Sequence, residues 1–306
     1  MNHFTLFCNF LKFPRLYPPT RWRASVFTFV FSLFSFSLSF AVPQIYLIDP
    51  SGGGDFKSIT EAIDDLYSSL PISNEIIYKI SAGTYEEQLI FNGQIAGANP
   101  TNTITFVSAD DDANSVNISP SAGNVIEIDN AQFVVFNKLT FTASNTVKIV
   151  NAVNSDGNLT FTENIFNAST SPDNGNYQSS IYCNPSTSGS IDNMIISSNI
   201  FNNGYTGISL FGGSDLTINN NTFNNIYKNA IELYDFTNST INANIVNNNN
   251  SYYSFYFVNI TYYEMFKNKI SNDNDLGKGI YVTSNITNTA QNGQFLTTLY
   301  KPVILV

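Results

Sequence analysis

Apolar and polar residues alternate along most of the chain in short runs, and a period of two predicts strands with one apolar and one wet face. Five segments restart on one pattern: Leu159-Thr-Phe-Thr-Glu-Asn164-Ile-Phe-Asn167, Met194-Ile-Ile-Ser-Ser-Asn199-Ile-Phe-Asn202, Leu216-Thr-Ile-Asn-Asn-Asn221-Thr-Phe-Asn224, Ser239-Thr-Ile-Asn-Ala-Asn244-Ile-Val-Asn247 and Tyr263-Glu-Met-Phe-Lys-Asn268-Lys-Ile-Ser271. The anchors Asn164, Asn199, Asn221, Asn244 and Asn268 lie 35, 22, 23 and 24 residues apart. A recurring period of this size marks a solenoid, in which each turn of chain buries its apolar face only against its neighbours.

A second alternating run follows each anchor: Ser180-Ile-Tyr-Cys183, Gly207-Ile-Ser-Leu210, Ala230-Ile-Glu-Leu233, Ser254-Phe-Tyr-Phe257 and Gly279-Ile-Tyr-Val282. Two looser runs, Val125-Ile-Glu-Ile128 and Thr146-Val-Lys-Ile149, precede them. Each coil reads as strand, Asn bend, short strand, loop, strand. No helix-length segment lies between, which excludes leucine-rich and helical repeats. The predicted fold is all-β, a single-stranded right-handed parallel β-helix of about nine coils. The anchor Asn is expected in the left-handed conformation at the bend, with the stacked amides forming a hydrogen-bonded ladder.

The amino-terminal part adds two elements. Residues 1–41 carry Lys12, Arg15, Arg21 and Arg23 and no acid, then an uncharged Phe/Ser/Leu run that closes on Ser39-Phe40-Ala41. This is the composition of a secretory signal peptide, which leaves 42–306 as the β-helix domain and places the protein outside the cell or on its surface. After it, Ser58-Ile-Thr-Glu61 fits a capping box. Ile59, Ala62, Ile63, Leu66 and Leu70 share one helical face that ends at Pro71, so a short helix is predicted to cap the open end of the solenoid.

Cleavage at that point would change the charge balance. Every Arg, the lone His and Cys8 fall in 1–41, leaving nine Lys against 23 acidic residues, a net of −14. A chain this acidic is a poor partner for nucleic acid or an anionic membrane, and it is expected to be a monomer without membrane insertion. Cys183, left alone, is expected to be a buried thiol. The apolar end, Pro302-Val-Ile-Leu-Val306, reads either as a self-capping strand or as a truncation.

Asp49-Pro-Ser-Gly-Gly-Gly-Asp-Phe-Lys-Ser-Ile-Thr-Glu-Ala-Ile63, followed by Ile77-Tyr-Lys-Ile-Ser-Ala-Gly-Thr-Tyr-Glu-Glu-Gln88, resembles the opening of the pectin lyase-like superfamily. It is most similar to pectinesterases and to secreted bacterial β-helix repeat proteins. The resemblance implies a parallel β-helix and an extracellular polysaccharide as partner. It transfers no catalytic residue. The two Asp, the Gln pair and the Arg of a pectinesterase-like site have no match in 126–306, and the carboxylate, His and Arg-Lys signatures of polygalacturonases are also missing. No cofactor is implied except Ca²⁺, which lyases of this fold use and for which Asp110-Asp-Asp112 and Asp273-Asn-Asp275 offer oxygen-rich turns.

Strand geometry supplies the candidate site. If the apolar residues of the second runs point inward, Glu127, Lys148, Tyr182, Ser209, Glu232, Tyr256 and Tyr281 form one outward column. Asp129, Val150, Asn184, Phe211, Tyr234, Val258 and Thr283 form its neighbour, with coils about 4.8 Å apart. Tyr182, Phe211, Tyr234, Tyr256 and Tyr281 then make one face suited to a sugar chain. Glu232, among apolar and aromatic groups, is the candidate acid, and Asp235 or Asp215 the second carboxylate that a glycosidase needs. Tyr is also simply a good strand former. The chain is thus expected to bind or process polysaccharide as a lyase, hydrolase or esterase, or else to be a structural or adhesive surface protein. The polar insertion from Ser169 to Ser190 is expected to leave the coil as a loop beside the Tyr182 strand. Regular Thr columns of the ice-binding kind are not expected.

Overall fold

The computed structural model describes residues 42–144, 147–154, 157–170, 178–185, 190–247, 253–271, 278–283 and 295–299. The proposed signal peptide, Asp273-Asn-Asp275, the apolar carboxyl end and half of the Ser169–Ser190 insertion (171–177 and 186–189) lie outside these residues.

The alternating runs are strands, and every pairing between them is parallel. One continuous 25-stranded sheet winds into three stacks. The first runs from Gln44–Ile48 through Ile76–Ile80, Ile104–Ser108, Val134–Asn137, Thr160–Thr162, Ile195–Ser197 and Thr217–Asn219. The second contains Thr140–Thr142, Ile165–Asn167, Ile200–Asn202, Thr222–Asn224 and Ile245–Asn247. The third contains Leu89–Asn92, Ile126–Asp129, Val150–Val153, Ser179–Asn184, Thr206–Ser214, Tyr253–Val258 and Lys278–Thr283. The long strand Asn229–Asn242 turns a corner, pairing in the third stack at one end and in the first at the other.

Inward side chains fill the tube as columns. Tyr78, Phe106, Phe136 and Phe161 stack behind the first sheet with ring centroids 4.9, 5.7 and 5.4 Å apart. Phe141, Phe166, Phe201 and Phe223 stack behind the second at 5.4, 4.8 and 4.7 Å. The coil repeat and the ring-stacking distance nearly coincide, so one aromatic per coil packs without a gap.

The anchors form the expected ladder. Asn164, Asn199, Asn221, Asn244 and Asn268 are all buried. The Oδ1 of Asn221 accepts from the backbone N of Asn199 at 2.9 Å, and its Nδ2 donates to the Ile196 carbonyl at 2.8 Å. Asn199, Asn244 and Asn268 repeat both contacts on their own neighbours. The left-handed residue is not the anchor, however. It is the residue before it: Glu163, Ser198, Asn220, Ala243 and Lys267 have φ between 51 and 59°. These side chains face outward, so the position accepts almost any residue. The next residue is turned inward, where an amide, with its acceptor oxygen and donor nitrogen on separate atoms, can accept a backbone N–H and at the same time donate to a carbonyl.

The capping helix α1 spans Ile59–Ser68 and buries Ile59, Ala62, Ile63 and Leu66; Leu70 lies past its end. Ser58 Oγ accepts from Glu61 N at 3.0 Å. The Glu61 carboxylate reaches back one residue further than a capping box requires, to Lys57 N at 2.8 Å. Glu87 contributes from outside the helix, accepting from Thr60 N at 2.8 Å and Ile59 N at 3.3 Å. No helix among the described residues is long and apolar enough to cross a membrane.

Candidate functional site

The outward columns of the third stack carry the candidate residues. Register places Glu127, Asn151, Tyr182, Ser209, Glu232, Tyr256 and Tyr281 in one column. Beside it run Asp129, Val153 and Asn184, then Phe211, Tyr234, Val258 and Thr283. Asn151 and Val153 stand where Lys148 and Val150 were expected. Coils of this stack from Val125 onward open with two consecutive inward positions, such as Val125-Ile126, Ala230-Ile231 and Ile149-Val150, all buried. Alternation counted through Thr146-Val-Lys-Ile149 breaks at that doublet, and the strand proper begins at Val150.

Tyr182, Phe211, Tyr234, Tyr256 and Tyr281 come together as one unbroken row of ring contacts. Tyr182 leans on Phe211 at 5.7 Å, Phe211 stacks on Tyr234 at 4.7 Å, Tyr234 leans on Tyr256 at 5.9 Å, and Tyr256 stacks on Tyr281 at 4.9 Å. The stacked pairs are within 3° and 7° of parallel. Their faces therefore cover one another along the solenoid axis, and it is ring edges and hydroxyls that meet solvent. Tyr253 joins the far end, 5.5 Å from Tyr256 and 5.0 Å from Tyr281.

A cleft of about 210 Å³ opens beside this row, lined by Tyr182, Tyr205, Thr206, Ser209, Phe211, Lys228, Glu232 and Tyr234. Glu232 is 6% exposed at its floor. Three donors reach its carboxylate: the Tyr234 hydroxyl at 2.8 Å, the Ser209 hydroxyl at 3.2 Å and the Lys228 ammonium at 3.6 Å. Burial, reinforced by the bond to Glu232, pushes the Tyr234 phenol above its usual range. Tyr205 and Lys228 were not legible as site residues because they precede the alternating runs. The signal was their common offset, three residues before the inward Ile208 and Ile231, and the Lys228 amide bonds the Tyr205 carbonyl at 2.7 Å.

One coil group further along, Lys148 Nζ lies 3.6 Å above the Tyr182 ring and donates to Asn151 Oδ1 at 2.9 Å. Asn151 Nδ2 in turn donates to Glu127 Oε2 at 2.7 Å. Burial pulls the Lys148 ammonium below its usual range, with Glu127 opposing. Cys183 points the other way, buried and unpaired, its thiol pushed up by burial.

Asp235 is not brought to Glu232. It occupies a left-handed bend (φ 58°), is exposed, and accepts from Asn259 Nδ2 at 2.8 Å. Asn130, Asn154, Gly212 and Asn259 hold the same conformation at the equivalent corner of their coils, so the position is set by the turn. Asp215 sits at another such bend, bonded by Ser214 Oγ at 2.9 Å and by Asn238. Asp111 pairs with Lys138, and Asp112 closes a turn on Asn114, whose bonds hold its carboxyl below the usual range. Among the described residues no three His, Cys, Asp or Glu side chains gather as a metal site.

The outward columns of the other two stacks have different chemistry. Thr160, Ile195, Thr217 and Thr240 lie in one register, and Thr140, Ile165, Ile200, Thr222 and Ile245 in another. Asn167, Asn202, Asn224 and Asn247 bond one another amide to amide. Thr recurs in register more than its spacing suggested, though broken by Ile. Glu264 continues the first of these columns beyond Thr240 and Lys269 the second beyond Ile245, both exposed, whereas the cleft and the contiguous aromatic row belong to the third stack.

No curated protein matches the chain. Among solved structures it is similar to pectin methylesterase from carrot, with a TM-score of 0.46 and 10% identity over 86% of this chain and 90% of that one. The model of the right-handed β-helix region matches residues 124–295, more than half of the chain and all of the aromatic row. The parallel coils, the columns of stacked rings and this match agree: the chain belongs to the right-handed β-helix family.

Proposed function

We propose that the protein binds extracellular polysaccharide along the aromatic row of the third stack, with the cleft at Glu232 as its central subsite. The observation that carries this reading is the contiguity of the row: five rings from consecutive coils touch in sequence, and three of them, Tyr182, Phe211 and Tyr234, border a cleft lined by hydroxyls. Sugars bind where apolar edges alternate with hydroxyl donors and acceptors, and coils about 4.8 Å apart match an extended chain laid along the solenoid axis. The charge pattern of residues 1–41 supports a place outside the cell.

Binding is favoured over cleavage. Glu232 is held by three donors, and the carboxylate meant to assist it, Asp235, is engaged at a bend. A structural or adhesive role is the second reading, favoured by the mutual covering of the Phe211–Tyr234 and Tyr256–Tyr281 faces.

The test is incubation of the protein with plant, algal and microbial polysaccharides, with and without Ca²⁺, following both retention on immobilised glycan and release of new chain ends. Retention on at least one glycan without new ends is the expected result. New ends that vanish in Glu232→Ala would make the protein an enzyme with its acid at this site. Neither retention nor new ends on any glycan would leave the adhesive role.

A further inference from the structure

We infer that the cleft selects uncharged glycan chains over polyuronates and that the Lys228–Glu232 pair sets this preference; the inference rests on the glycan-binding reading above. An anionic sugar needs a cation free to meet its carboxylate, and a carboxylate recognised in competition with water needs charge-assisted donors. The cleft has one ammonium, Lys228, and it already faces the Glu232 carboxylate at 3.6 Å. Lys148, a cation on a neighbouring coil of this face, lies over the Tyr182 ring and connects through Asn151 to Glu127. Asp129 and Asp235 add negative charge along the same columns and the corner beside them. The whole chain carries a net charge of −10. A polyuronate laid along this face would bring one more negative charge per sugar into a field already negative.

What remains in the cleft suits neutral sugars. The hydroxyls of Tyr182, Tyr205 and Thr206 can donate or accept, those of Ser209 and Tyr234, which donate to Glu232, can accept, and Phe211 supplies an apolar wall. Glu232 thus acts as an internal counter-ion that occupies Lys228. Glu232→Gln has nearly the same shape; its oxygen accepts from one of the Ser209 and Tyr234 hydroxyls and its amide nitrogen donates to the other, but it releases the ammonium toward a ligand.

The experiment uses the full-length chain and matched pairs of polysaccharides: polygalacturonate, alginate and glucuronan, each beside the same chain after carboxyl reduction. A set of neutral glucans, mannans and xylans is run in parallel. Affinity electrophoresis at low salt in EDTA, so that no Ca²⁺ bridges, reads the dissociation constants. In any pair that binds, the reduced chain is expected to bind at least tenfold more tightly. Glu232→Gln is expected to narrow that gap threefold or more by improving uronate binding, and adding Lys228→Met to it should abolish the gain. Uronate bound as tightly as its reduced counterpart, or a gap unmoved by Glu232→Gln in a folded variant, would overturn the inference while leaving glycan binding intact. Binding of no glycan at all, neutral or charged, would remove the glycan reading and this inference with it.

Discussion

Asn221 serves two coils at once: it accepts from Asn199 below and donates to Ile196 O and to Asn244 Oδ1. Asn221→Ala would leave a buried amide and a buried carbonyl without partners, each costing about 1–3 kcal/mol. The expected loss is about 3 kcal/mol, read as a lower urea midpoint at unchanged slope. The Asn repeat was plain in the sequence and its ladder was anticipated; its backbone conformation was not. Asn tolerates the left-handed region so well that its recurrence drew the bend onto the wrong residue, whereas Glu163, Ser198, Asn220, Ala243 and Lys267 share no side-chain signature. Asp235 was misleading for the same reason: beside Glu232 in sequence it looked like a second acid, but it occupies a left-handed corner and its carboxylate accepts from Asn259. The buried phenols give a pH dependence. Burial pushes Tyr67 and Tyr85 up to about 12 from 10.0, and each donates to a carbonyl, of Gly93 and Ser81 respectively. Below pH 10 the phenol is neutral in both folded and unfolded chains. Between about 10 and 12 only the unfolded chain gives up the proton, so the folded state binds more protons and stability falls as pH rises. Urea titrations from pH 9 to 12 should show this decline, and Tyr67→Phe should make it shallower.

At the scale of elements, α1 and the strands were legible to different degrees. Capping residues and a spaced apolar face announced the helix and its four buried residues. The contribution of Glu87 was hidden, since it lies 27 residues from Thr60 and meets the helix only because the coil returns. A carboxylate on free amides at a helix start adds roughly 0.3–2 kcal/mol. Glu87→Ala is therefore expected to lower stability by about 1 kcal/mol, with part of the effect lost at high salt, while Glu86→Ala changes little. Strand existence followed from alternation, but strand phase did not at the inward pair Ile149-Val150, where the run was counted through its first member. A doublet of small and large residues at a corner is invisible to a count of twos. Where the first member is Gly207, Ala230 or Ser254 the following run still reads correctly, and the Tyr182–Tyr281 row was found because those coils share that form.

For the whole molecule, each coil touches only its neighbours, so stability is a sum of coil and interface terms and a defect is felt locally. Phe201 lies mid-stack, 4.8 Å from Phe166 and 4.7 Å from Phe223, so Phe201→Ala should cost about 3–5 kcal/mol. Hydrogen exchange should show the loosening centred on the adjoining coils rather than on α1. The outward row answers to a different rule. Its rings project from strands whose inner residues hold the fold, so truncating them should remove function and leave the fold standing, at some cost where Tyr234 bonds the buried Glu232. The fold was open to reading because its period, its Asn ladder and its alternating runs all repeat. A binding face is a property of one set of coils and repeats nothing, so its five rings could be placed in a column while the cleft beside them, with Tyr205 and Lys228, could not. The central claim is that this row binds glycan, and the most direct measurement compares the dissociation constant of a retained glycan for the wild type, for Phe211→Ala/Tyr234→Ala and for Tyr262→Ala. Tyr262 is an aromatic 63% exposed at a bend outside the row. Loss of about tenfold or more in the double variant, with a cooperative urea transition kept and Tyr262→Ala unaffected, is the predicted result. Equal binding by all three proteins would contradict the account.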